Sequence, residues 1–172
     1  GDILFIEASK MPGKGVLQLT GKLGDVMKES AKAAFSYVRS NASQIGIDTN
    51  FYKNFDIHVH VPAGAISKDG PSAGIAMVTA ITSLLLNKSV KTGIGMTGEI
   101  SLRGNVLPIG GLKEKSTAAH RSGLVHILAP SQNQKDLEEI PDKVKKDLKI
   151  TFVKNAEEVL KLTLDLDMKK GD

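Results

Sequence analysis

Apolar positions along this chain alternate between two spacings. Ile3–Glu7 and Val16–Thr20 read as strands, parted by the turn Pro12-Gly13-Lys14-Gly15. From Gly24 to about Ile45 the apolar residues Leu23, Val26, Met27, Ala31, Ala34, Phe35, Val38, Ala42 and Ile45 recur mostly at intervals of three and four. That spacing predicts one long amphipathic helix, stopped by Gly46. Asp56–Val61 alternates as a strand and runs into a loop from Pro62 to Gly70. Pro71 to about Leu86 is apolar nearly all round, the mark of a buried helix. Pro71 suits a first turn, where a missing N–H costs nothing.

Shorter elements follow. Ile94–Met96 and Ile100–Leu102 read as strands, and Arg103-Gly104-Asn105 turns the chain into Val106-Leu107. Gly110-Gly111 opens a helix to about Ser122, stopped by Gly123. Val125–Ala129 reads as a strand, Ser131–Glu139 as a helix, Ile150–Val153 as a strand and Ala156–Leu162 as a helix, before a Lys-rich tail expected to fray. Helices and strands interleave without repeat or linker. The expectation is one α/β (α+β) domain over residues 1–172, with mixed small sheets packed by helices.

Composition narrows the function classes. The chain has 172 residues, enough for one core, and a formal charge of +4. Its lysines are diffuse and not interleaved with aromatics, unlike a nucleic-acid-binding stripe. It has no cysteine, which excludes disulfides, thiolate metal sites and a thiol nucleophile. No apolar run reaches membrane-span length. It begins at Gly1-Asp2 without Met, so a piece of something longer is expected.

Two segments carry candidate chemistry. In Lys68-Asp69-Gly70-Pro71-Ser72-Ala73-Gly74, Ser72 falls where a loop enters the buried helix. Free N–H groups gather at such a place and can hold an oxyanion. A helix-capping role accounts for the same serine. The letters Gly-x-Ser-x-Gly match the α/β-hydrolase elbow, but that elbow joins a strand directly to a helix, whereas here a loop intervenes. A serine nucleophile needs a base. Among the four histidines, His58 and His60 share a strand face and suit a base, a metal ligand or a structural role. Lys115 is the alternative: with Leu112, Ser116 and Ala119 it forms one small inward helix face, opposite Lys113. Burial would keep such a lysine neutral, while a stem snorkelling past the helix end is the structural alternative.

Three motifs now stand in order: Asp69-Gly70-Pro71-Ser72-Ala73-Gly74, then Thr97-Gly98-Glu99-Ile100-Ser101-Leu102-Arg103-Gly104, then Leu107-Pro108-Ile109-Gly110-Gly111-Leu112-Lys113-Glu114-Lys115. With these motifs the sequence resembles the proteolytic domain of the bacterial-type ATP-dependent Lon proteases, along almost its whole length. The resemblance implies a serine endopeptidase with a Ser72–Lys115 dyad. It implies that Thr97 holds the lysine amine, with Asp69, His58 and His60 in support. It implies no cofactor in this domain, with ATP and Mg on an upstream ATPase module. The chain itself lacks the Gly-x-x-x-x-Gly-Lys-[Ser/Thr] phosphate loop.

Further implied are unfolded-protein substrates, a homo-oligomeric ring (commonly a hexamer) with Glu99 and Arg103 as candidate contacts, and a bacterial cytoplasm ahead of a mitochondrial matrix. Ser116-Thr117 and Ser131-Gln132 depart from the family's pattern, both outside the dyad. The alternative reading is a ring-assembly or DNA-associated module whose site is inactive, with no membrane partner in either case.

Overall fold

The computed structural model describes residues 3–62 and 70–170. The first layer is a three-stranded sheet of β1 (Glu7–Pro12), β2 (Leu17–Thr20) and β3 (Phe55–His60), in the order β1-β3-β2. β1 runs antiparallel to β3 and β2 parallel to it. The chain between β2 and β3 carries α1 (Asp25–Ser40), α2 (Ala42–Ile45) and α3 (Phe51–Asn54). The turn after β1 is tied to the sheet by Asp56, whose Oδ1 accepts the N–H groups of Lys14, Gly15 and Val16 at 2.8–3.0 Å. Those bonds hold its carboxyl below the usual carboxylate range, that from Val16 most.

The second sheet is parallel and contains β4 (Ile94–Met96), β7 (His126–Pro130) and β8 (Lys149–Val153), ordered β4-β7-β8. It divides two apolar cores. Leu128 and Val153 face the larger one, built with α1, α4 (Gly74–Leu86) and α7 (Ala156–Leu164). Ile127 and Ala129 face the smaller one, built with Leu112 and Ala119 of α5 (Leu112–Arg121) and Val144 of α6 (Asp142–Asp147). Alternation along β7 thus sends successive side chains to opposite layers. A hairpin of β5 (Glu99–Ile100) and β6 (Val106–Leu107) completes the fold.

The mixed α/β class agrees with the sequence reading, and several boundaries differ. The first strand is Glu7–Pro12, not Ile3–Glu7: the polar residues pair along an edge, and Ile3 to Ile6 stay outside any sheet. Pro12 is tolerated there because an edge strand leaves one side unpaired. The long helix breaks at Asn41, whose side chain and backbone N–H both donate to the Tyr37 carbonyl at 2.9 and 3.0 Å. Asparagine competes with the helix ladder in just this manner.

Ser131–Glu139 winds as a 3-10 helix, and its Asn133 side chain reaches Ile109 in another loop. The short helices α3 and α6 were not legible in the apolar pattern. The tail does not fray as far as it is described: Met168 packs on the larger core, and the Lys169 N–H donates to the Gln44 carbonyl at 2.8 Å.

Candidate active site

Ser72 does not lie in the first turn of α4. The helix starts at Gly74, and Ser72 sits in the turn before it, after Gly70 in a left-handed conformation (φ 125°). Reciprocal backbone bonds fix that turn. The Gly98 N–H donates to the Ser72 carbonyl at 2.8 Å, and the Ile75 N–H donates to the Gly98 carbonyl at 3.1 Å. Ser30, buried on α1, donates its hydroxyl to the Pro71 carbonyl at 3.3 Å.

This stitching explains two glycines in the motifs. A Cβ on Gly74 would lie 2.7 Å from the Ile100 nitrogen, and one on Gly98 would lie 2.8 Å from Val106 Cγ1. Neither approach leaves room for a side chain, and the Gly98 bond to the Ser72 carbonyl sets Ser72 close to the residue before Gly98, Thr97. The N–H groups of Gly74 and Ile75 are spent on Pro71 and Gly98. The helix-start groups first expected to hold an oxyanion are thus not free in this structure.

Lys115 arrives from the other layer. Gly111 (φ 76°) precedes α5, and the Lys115 N–H donates to its carbonyl at 2.9 Å. Leu112, Ser116 and Ala119 are buried while Lys113 is exposed, so the inward face read from the sequence is the one observed. Lys115 is half-buried, and burial pushes its ammonium below the ordinary lysine range.

Ser72, Thr97 and Lys115 all line one cavity of about 520 Å³. It opens beside β4, the edge strand where the two layers meet. Its other walls are mainly apolar, including Leu4, Ile6, Ala76 and Met96. Lys115 is the one ionisable side chain among its described lining residues. Thr97 is 9% exposed, and its Oγ1 has no hydrogen-bond partner among the described residues. The bond expected between Thr97 and the lysine amine is therefore not formed in this structure.

His58 and His60 stand apart from this cavity, on β3. Both meet one hydroxyl: Thr20 Oγ1 lies 2.7 Å from His58 Nε2 and 2.6 Å from His60 Nδ1. That hydroxyl has one proton, so at least one ring nitrogen must donate to it. The pair anchors β3 to β2 just before the segment that leads to Ser72. Asp69 lies outside the described residues. No group of three or more His, Cys, Asp or Glu side chains that could hold a metal occurs among the described residues. Glu99 is half-buried and Arg103 is exposed in the β5–β6 hairpin.

The motif reading missed two contributors: Ser30 and the Ile3 to Ile6 wall. Ser30 was detectable as a polar residue at a core-facing helical position, next to Ala31 and one turn before Ala34.

A family model described as the C-terminal proteolytic domain of Lon protease (S16) matches residues 1–166. The chain belongs to the Lon protease family. Lon protease of Syntrophus aciditrophicus is 58% identical over 164 residues, covering 95% of this chain and 21% of the relative. Lon protease 1 of Bacillus subtilis is likewise 58% identical over 164 residues, with the same coverage of 95% and 21%. Lon protease of Dictyoglomus thermophilum is 58% identical over 171 residues, covering 99% of this chain and 22% of the relative. The chain thus spans about a fifth of the length of the curated relatives it matches. It is a Lon-type peptidase domain, and the cavity described above is the place in it where a serine, a threonine and a lysine converge.

Proposed function

We propose that this domain hydrolyses peptide bonds with Ser72 as nucleophile and Lys115 as base, as the proteolytic part of an ATP-dependent protease for unfolded proteins. The observation that carries the reading is the meeting of Ser72 with a half-buried lysine of lowered pKa in one apolar cavity. An ordinary lysine, with pKa about 10.4, is protonated at neutral pH and cannot accept a proton. Desolvation disfavours the ammonium and supplies the right sign. Thr97 offers a buried hydroxyl without a partner among the described residues, and the amine of Lys115, lining the same cavity, is the group we assign to it.

In the first step the Ser72 oxygen bonds to the scissile carbonyl carbon as its proton passes to neutral Lys115 Nζ. The oxyanion takes N–H donors from the turn at Ser72 and Ala73, which precede the donors already spent at Gly74 and Ile75. The tetrahedral centre collapses, the C–N bond breaks and Lys115 returns the proton to the leaving amine. Water then attacks the acyl-serine, giving its proton to Lys115, and the acid product leaves with the Ser72 hydroxyl restored. ATP and Mg act on an upstream module. This chain has no phosphate loop to hold them, and no step here passes through them.

The homo-oligomeric ring rests on the family. Leu102, 65% exposed beside Arg103 in the β5–β6 hairpin, is where we place a subunit contact. A cytoplasmic setting is proposed from the bacterial relatives, and no helix among the described residues is long and apolar enough to cross a membrane.

The test is cleavage of a fluorogenic peptide across pH by the parent, Ser72→Ala and Lys115→Ala. Both variants should lose cleavage while keeping the fold, and the parent rate should rise with pH as Lys115 deprotonates. Cleavage retained by either variant would overturn the assignment. So would a profile governed only by a group titrating near a carboxylate's pKa of about 4.

A further inference from the structure

Lys115 is presented by a helix whose entry loop is held from outside. Asn133 is 2% exposed and lies in the 3-10 helix that follows β7. Its Oδ1 accepts the Ile109 N–H at 2.9 Å, and its Nδ2 donates to the Ile109 carbonyl at 2.7 Å. One side chain thus engages both backbone groups of one residue, as a neighbouring strand would. The second amide proton goes to Asp136 Oδ2 at 2.8 Å. That bond selects one amide orientation, because a flipped amide would set its oxygen against the Ile109 carbonyl and the Asp136 carboxylate. Two residues beyond Ile109 stands Gly111, in the left-handed region, where α5 begins. Asn133 itself follows β7, whose Leu128 carbonyl accepts the Thr97 N–H at 3.0 Å.

We infer that Asn133, oriented by Asp136, is a positioning residue for the catalytic lysine: it pins the loop before α5 to the 3-10 helix that follows β7, the strand that also holds Thr97, and so influences how deeply Lys115 enters the cavity. This rests on the proposed dyad. A burial-only role for Asn133 would need no clamp on both groups of Ile109, and a capping role would need a free helix N–H. Asn133 caps no helix: its backbone partner, Ile109, lies in a different loop, 24 residues away. Loosening that loop lets α5 start more freely and exposes the lysine stem to water. Re-solvation returns its pKa toward about 10.4. No other ionisable side chain among the described residues lines the cavity. From the neighbouring elements, Lys113 and Glu114 on α5 and Glu139 on the 3-10 helix are exposed, and Asp136 is half-buried.

The experiment follows the Lys115 side chain directly, by the pH titration of its 13Cε resonance in the full chain, beside peptide cleavage. Asn133→Ala is the main variant. Asp136→Ala, which leaves the Ile109 clamp in place and removes only its orientation, is the milder second. Val144→Ala, a buried change on α6 in the same core, is the control for general loosening.

Asn133→Ala and Asp136→Ala should raise the Lys115 titration point and move the acid limb of the cleavage profile upward with it. Turnover should fall about tenfold or more at neutral pH with KM little changed, as expected for ångström-scale misplacement of a catalytic group. Val144→Ala should lower Tm without moving the titration. An unmoved Lys115 titration in the folded Asn133 and Asp136 variants overturns the inference, as does an equal shift in Val144→Ala. If Asn133→Ala does not fold, Asp136→Ala decides alone. Failure of the dyad reads differently: Lys115→Ala would then cleave as well as the parent, whatever the titration does.

Discussion

Thr97→Val is the most informative single substitution, because stability and activity should move in opposite directions. Valine replaces the hydroxyl with a methyl group of nearly the same shape and keeps the β-branch. Thr97 is 9% exposed, and its Oγ1 has no hydrogen-bond partner among the described residues. A buried hydroxyl left unpaired carries a desolvation cost of about 1–3 kcal/mol. Removing it should therefore stabilise the resting domain by about that amount. At about 2–4 °C per kcal/mol for a chain of this size, Tm rises by roughly 2–12 °C. Activity should fall on the proposed reading, in which the Thr97 hydroxyl orients the amine of Lys115. The assay is paired: thermal unfolding, and peptide cleavage under the same buffer. A lower Tm with unchanged cleavage would refute both halves of the reasoning, because the hydroxyl would then be bonded in the fold and idle in the chemistry.

Other outcomes follow from the same geometry. Lys115→Met should abolish cleavage and raise Tm at neutral pH. A lysine whose folded pKa is lowered costs stability below that value, and the cost fades as pH rises toward the unfolded value of about 10.4, so the Tm gap between parent and variant should narrow across that window. Asp56→Asn should weaken the domain at neutral pH and flatten its acid unfolding curve. The Asp56 carboxylate is stabilised chiefly by the Val16 N–H, and its contribution, present above an unfolded pKa of about 3.9, is lost as pH falls through the lower folded value. Gly74→Ala places a Cβ 2.7 Å from the Ile100 nitrogen, and overpacking of this kind costs about 1–3 kcal/mol by denaturant unfolding. Cleavage should drop with it, since Gly74 follows Ser72 by two residues in the turn that Gly98 holds.

How far the sequence carries can be judged from particular residues. The face of α5 was legible because helical spacing alone decides that Leu112, Ser116 and Ala119 turn inward and Lys113 outward. That spacing made Lys115 a candidate base, with a snorkelling stem as the alternative, and its pairing with Ser72 came from the resemblance that the three motifs carry. The start of α4 was not legible. Pro71 and Ser72 both suit a first turn, and what moves the helix start to Gly74 is a pair of bonds to Gly98, distant in sequence. Val26 fits the apolar rhythm of α1, yet it is 47% exposed, because the helix turns its Met27 and Ser30 side to the core. Asn133 looks like any loop asparagine until tertiary structure sets it against Ile109. Periodicity reports which face is buried; it does not report which distant carbonyl a polar side chain will find.

The sheet of β4, β7 and β8 is a partition, and that has a mechanical consequence. Ser72 belongs to the larger core by way of α4, and Lys115 to the smaller by way of α5. Each half of the site is held within its own layer, while the gap between the halves depends on how the layers sit across one thin parallel sheet. A slip of about 1 Å between layers would leave every local contact of both residues intact and still cost on the order of a hundredfold in rate. Any neighbour that grips the two layers together therefore acts as a throttle on cleavage without touching a reacting atom.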